Sequence, residues 1–482
     1  MRSTMRSAMT AETRRQVYLL SPRSLSPETI AVTFAKTSRS ALTFREIAKE
    51  LTDAKSAAFH EKWVVGYGHA SVAEHAVLHL AFENVSRLAI ECIESNRLAS
   101  YTEKSTRYQK WEADGFYVAQ EVIGSAHEQV YRAACQQLFQ AYLASLDPVR
   151  AVAQRKFPRQ EGESDERWDG RIRARYVDVC RFLLPAAALA NVGMTANARA
   201  LEHGIRKMLS HPLDEVRQIG REAKQAAVLE IPTLLKYADP LPYLARLDQE
   251  LPAWAGASHA EAAAEPVRLL KMMPEPEASA LAAALYPYAA DSLDGLVERV
   301  QAMPKEERAR LADAVLGGRG DHDTPLRSLE HSAFLFEIVL DQGAYFELKR
   351  HRMMTQTAQR LTTRLGYSVP RMFSEAGLET VYRESMDMAA QAYQALAGWN
   401  PEVASYVVPN AYRRRVVVTL NLREAFHFCE LRSAPNAHFS IRRVALRMAE
   451  VLQQAVPGLG AYLRLPAGVG WRDIEDEHFT QT

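Results

Sequence analysis

Two strand-like stretches, rich in apolar residues, each run straight into a helical pattern. In the first, His75 to Asn84 reads as a strand, with Val77, His79 and Ala81 on one side and Leu78, Leu80 and Phe82 on the other. Ser86 then supplies an N-cap for a helix over Arg87 to Glu94, because its hydroxyl can accept from a free N–H of the first turn. In the second, Ala333 to Leu340 is the matching strand, and Asp341 or Gly343 opens the helix that delivers Arg350. Both stretches have the same prelude. Val17-Tyr-Leu-Leu-Ser-Pro and a helix over Glu28 to Leu42 are echoed, about 250 residues later, by Val267-Arg-Leu-Leu-Lys-Met-Met-Pro and a helix over Glu277 to Tyr286. The repeated offset predicts a tandem duplication in which a short strand opens each copy.

Other periodic segments predict helices over Ala126 to Leu146, Thr195 to Leu209, Leu213 to Leu229 and Ala437 to Gln454, with a charged loop around Glu161 to Arg167. Pro240, Pro242 and Pro252 mark the join between the copies. The expected organisation is a first domain over 1–245, a linker over 246–265 and a second domain over 266–482.

Composition narrows the class. A net charge of +1 gives no overall field for nucleic acid or an anionic membrane. The four cysteines, Cys92, Cys135, Cys180 and Cys429, have no paired spacing, which argues against a metal site or disulfide framework and fits the cytoplasm. The apolar run from Phe182 to Met194 is too short to span a bilayer, which takes about 20 residues. The Arg-, Ser- and Thr-rich first fifteen residues lead into no apolar signal core. No phosphate-binding Gly loop or dinucleotide fingerprint is present. These readings describe an α+β protein without naming its chemistry.

The chemistry concentrates in Arg97-Leu-Ala-Ser-Tyr-Thr-Glu-Lys-Ser-Thr-Arg-Tyr108. On an extended segment Glu103, Ser105 and Arg107 share one face. A carboxylate, a hydroxyl and a guanidinium there suit a phosphorylated ligand bearing hydroxyls; on spacing alone a solvated strand face with a local ion pair is the commoner reading, because polar alternation marks any half-exposed strand. Upstream stand His69, Ser71, Glu74 and His75, in a His-x-Ser-x-x-Glu-His element. With Arg97, Ser100, Glu103, Ser105, Arg107 and Tyr108, this resembles the flavin-dependent thymidylate synthase family. That family carries Arg-His-Arg-x-x-Ser-x-Asn-Glu-x-Ser-x-Arg-Tyr, in which Ser95 and Asn96 here replace the leading Arg-His, and Thr102 the Asn. In the second copy Arg350-His351-Arg352 is intact, but Ala358, Arg360 and Thr362 stand at the Glu, Ser and Arg positions. Asn421, Arg423, His427 and Arg432 match the family's C-terminal block, and Arg181 its Arg four residues before a proline.

The resemblance implies two tandem copies of that fold, a twisted sheet flanked by long helices, and a single composite site. It implies FAD, with NADPH and methylenetetrahydrofolate as co-substrates, methylating dUMP at C5. The nucleotide would be bound by Arg97, Glu103, Ser105, Arg107, Arg181 and Arg432, and the flavin by His69, Ser71, Arg350, His351, Arg352, Asn421, Arg423 and His427. Arg432, Ser105 and Arg107 would carry the catalytic roles. The family's four-subunit assembly implies a homodimer of the fused chain. The altered positions leave two other readings open: a flavoenzyme acting on another pyrimidine nucleotide, or a flavin-free protein that kept the fold.

Overall fold

Residues 16–66, 70–105, 110–256 and 264–480 are described by a computed structural model, and they form two small antiparallel sheets wrapped by helices, an α+β architecture. The first sheet contains β1 (Val77–Ser86), β2 (Ala99–Glu103) and β3 (Leu189–Asn197), in the order β1-β3-β2. The second contains β4 (Val267–Met272), β5 (Ala333–Asp341), β6 (Thr355–Ala358) and β7 (Arg413–Asn421), in the order β4-β5-β7-β6. Without β4 the orders match strand for strand. The rungs match too: Val77 lies opposite Asn197 as Ala333 lies opposite Asn421, and Ser100 opposite Thr195 as Thr355 opposite Thr419. The chain is one fold written twice.

The opening strand survives only in the second copy. Val17 and Leu19 are 94% and 93% exposed, and no strand forms over residues 16–20. The edge they would pair with is broken: β1 carries a bulge between Phe82 and Val85, with Asn84 in the left-handed region at φ 55° and its N–H bonded to Asn191 Oδ1. A bulge interrupts the row of donors and acceptors that an added strand needs. The expected helix over Thr195 to Leu209 also starts later. Thr195 to Asn197 end β3, and Asn197 caps a helix over Ala198–Leu209 by accepting from Ala200 N at 2.8 Å. The Ala126 to Leu146 pattern extends into a helix over Glu128–Lys156, and the Glu161 to Arg167 loop gives way at Ser164 to a helix over Asp165–Cys180. An exposed helix, Pro242–Ala255, occupies much of the join between copies.

The two copies share a core. One apolar cluster runs from Ala31 to Ala238 and takes in Tyr382, Met386, Leu396 and Tyr406 of the second copy; another spans Val267 to Leu463. The long helices Glu128–Lys156 and Glu379–Ala397, one from each copy, pack together. At the seam the backbones bond reciprocally around Pro185 and Pro409: Ala186 N to Val408 O at 3.0 Å and Asn410 N to Leu184 O at 2.9 Å. Among the described residues no helix is long and apolar enough to cross a membrane, and no group of three or more His, Cys, Asp or Glu is placed to hold a metal ion.

Candidate functional site

Two short helices meet across the seam. Arg87–Ile93 is capped by Ser86, whose Oγ accepts from Ala89 N at 2.9 Å; Gln342–Leu348 is capped by Asp341, whose Oδ1 accepts from Ala344 N at 2.9 Å. These caps hold the same place in the repeat. So do the residues through which the helices touch. Gln342 donates to Glu91, and Arg87 lies 3.8 Å from the centre of the Phe346 ring, in the mirrored contact. Lys349 pairs with Glu94 at 2.9 Å. Arg97 Nε donates to Arg352 O at 2.9 Å, and Arg352 Nη1 donates back to Arg97 O at 3.1 Å. The approximate twofold axis therefore passes through the Arg97 and Arg352 segments.

Beside this axis lies a cavity of about 270 Å³, lined by Glu94, Tyr101, Thr102 and Glu103 from the first copy and Lys349, Arg350 and Arg352 from the second. Glu103 is fully buried against Arg87, and its other oxygen accepts from Arg350 Nη2 at 3.0 Å. Burial alone would raise the Glu103 carboxyl, but Arg87, Lys349 and Arg350 outweigh it and hold it below the usual carboxylate range. Arg350 is half exposed, and Arg352 sits 5.4 Å from the Tyr101 ring centre. Arg350 and Arg352 can thus meet an anion, with an ionised carboxylate beside it to accept a donor.

A second cluster begins at His351, next to those arginines in the chain. His351 Nδ1 lies 3.0 Å from Glu424 Oε1, and Arg432 Nε donates to His351 Nε2 at 3.0 Å. Accepting from arginine requires a lone pair on Nε2, so the ring is neutral with its proton on Nδ1, facing Glu424. Burial pushes its pKa down, which agrees. Arg432 Nη1 reaches Glu347 Oε2 at 3.0 Å, while Arg181 of the first copy lies 3.7 Å from Glu347 Oε1. The His427 ring centre is 5.4 Å from that of His351.

The remaining expected residues are elsewhere. Asn421 caps its helix by accepting from Glu424 N at 2.9 Å. Arg423 turns to Pro325 O at 2.9 Å and Glu330 at 2.8 Å, just as Arg199 turns to Glu74 at 2.5 Å. Ser71 opens onto a different cavity of about 600 Å³, among Phe34, Lys36, Arg39, Phe59 and Trp63. Ser105 follows β2, half-buried. His69 and Arg107 lie outside the described residues.

A family profile described as "Thymidylate synthase complementing protein" matches residues 20–233 and again residues 268–458. The chain belongs to this family. The Thymidylate synthase complementing protein pattern is thus present twice, as the sheets are. A UPF0159 protein of Chlamydia muridarum (strain MoPn / Nigg) is 33% identical over 434 residues, 86% of this chain and 82% of its own. A UPF0159 protein of Thermoplasma acidophilum is 30% identical over 448 residues, 85% of this chain and 89% of its own. A flavin-dependent thymidylate synthase of Geobacter sulfurreducens is 32% identical over 201 residues, which are 40% of this chain but 83% of its own. A single-copy relative therefore aligns with less than half of this duplicated Thymidylate synthase complementing protein chain. Glu91, Glu347, Lys349 and Glu424 escaped the sequence reading, because their partners lie in distant elements or the opposite copy. Only Lys349 had a local cue, its place beside Arg350.

Proposed function

We propose that this chain methylates C5 of dUMP, with methylenetetrahydrofolate as carbon donor and NADPH as reductant, in a site shared by its two copies. The observation that carries the reading is the shared cavity, where Glu103 of one copy faces Lys349, Arg350 and Arg352 of the other. The donor set fits FAD in part. Arg350 and Arg352 suit its phosphates, and the aromatic cleft at Ser71 suits a planar ring. Asn421, Arg423 and His351 are committed to internal bonds and are left out of that set. Bound reduced flavin supplies the electrons the methylation needs.

The chain's own residues bind and orient. Arg350 would exchange Glu103 for a nucleotide or cofactor phosphate, while Arg87 keeps Glu103 ionised to accept a sugar or ring donor. Ser105 and Arg107 follow on the same segment and would complete the phosphate grip. Arg432, held at a fixed angle by Glu347 and neutral His351, would stabilise negative charge developing on the pyrimidine. Arg181 shares Glu347 and would act through it. A pair of fused chains would restore the family's four-copy assembly.

The test is release of tritium from C5-tritiated dUMP, together with the visible spectrum of the purified protein. Stoichiometric flavin and turnover, both lost in Arg350→Ala, are expected. A colourless protein that takes up no FAD, even with dUMP present, overturns the proposal. One observation favours a second reading, a flavin-free relative that retained the fold: the internal bonding of Asn421, Arg423 and His351.

A further inference from the structure

A second cavity, of about 180 Å³, opens at the seam where the Asp165–Cys180 helix of the first copy meets the Phe439–Ala455 helix of the second. Arg175 enters from one copy, and Arg442 and His478 from the other. Arg442 is 9% exposed, and its Nε donates to Ser433 O at 3.2 Å. Arg175 rests on the Phe157 ring, 4.8 Å from its centre. Among the described residues, neither guanidinium forms an ion pair.

The other charges are accounted for. Arg171 is held by Glu163 at 2.9 and 2.7 Å, and Asp178 Oδ1 lies 4.0 Å from Arg181 Nε. Glu477 Oε1 is 3.6 Å from His478 Nε2, from the exposed side. Burial, then Arg175, Arg442, Lys156 and Arg371, push His478 down to about 3, so its ring is neutral near pH 7. Two guanidiniums and an imidazole thus converge from both copies, outnumbering the one lining carboxylate, Asp178, which also faces Arg181. Such a cluster is repulsive as it stands and complementary to a multidentate oxyanion. The volume admits a phosphate group or a small phosphate monoester.

We propose that this seam cavity is a phosphate-binding site, separate from the composite cavity, gripped by Arg175 and Arg442 with His478 as a further donor. Its ligand is inorganic phosphate or the end of a small phosphate monoester. Because its donors come from both copies, occupancy also clamps the copies together.

The experiment is calorimetric titration of the full chain with inorganic phosphate, and separately with glycerol phosphate, while NMR follows the His478 ring. Phosphate should bind with a Kd of about 1 mM or tighter. Arg175→Gln, which leaves the Phe157 contact to the side-chain stem, should weaken it about tenfold. The His478 pKa should climb on saturation, because a nearby anion favours the imidazolium. Glycerol phosphate binding with the same Arg175 dependence identifies the monoester class; binding of inorganic phosphate alone identifies the free ion. No binding, or binding unchanged in Arg175→Gln with a stationary His478, overturns the proposal.

Discussion

Glu103 shows how one residue can be legible in type and hidden in setting. Its place in a recognisable motif was plain from the sequence, but Arg87 and Arg350, which fix its charge, are 16 and 247 residues away. Glu103→Gln removes the partner of a buried guanidinium and should cost about 3–5 kcal/mol in urea unfolding. The pH dependence follows from the lowered carboxyl. Its stabilisation is complete above the unfolded value of about 4.3 and is lost as pH falls through the lower folded value, so the variant should lose less stability than wild type on acidification below about pH 4.5. His351 has the same sign for a different cause. Burial lowers its pKa, so stability should be full above about pH 6.5 and decline below it as the unfolded chain takes up the proton. His351→Gln should flatten that limb of a urea-midpoint profile measured from about pH 7 to pH 5.

At the scale of elements, the sequence was most reliable where a local device sets the structure. Ser86 and the β5 pattern were legible because a cap and a short apolar run act over a few residues. The Val17 strand was misjudged because a strand needs an edge, and the bulge at Asn84 is set by Asn191, a residue 107 positions away. The two caps also predict unequal costs. Asp341→Asn keeps an acceptor for Ala344 N and should cost less than about 1 kcal/mol through the cap. Ser86→Ala removes the cap, and with it the hydroxyl that donates to buried Glu215 at 2.6 Å. Cap and network together should cost about 2–3 kcal/mol, read as a shift in urea midpoint at constant slope.

On the scale of the whole molecule, the duplication was legible and the docking was not, since the repeat says nothing about which faces meet. The shared core and the Pro185–Pro409 seam predict that residues 16–256 and 264–480, produced separately, unfold without cooperativity, whereas co-production yields a folded pair with one sharp transition by calorimetry. The Lys349–Glu94 pair carries the argument further. Its members occupy equivalent positions beside the twofold axis. Two first copies docked the same way would set Glu94 against its own image, and two second copies Lys349 against Lys349. Neither charge is solvent-exposed enough to tolerate its like: their side chains are 6% and 8% accessible. What began as self-recognition has become mating of unlike types. Neither copy would form this same symmetric pair with itself, so the covalent join holds together two halves that fit each other better than they fit their own image.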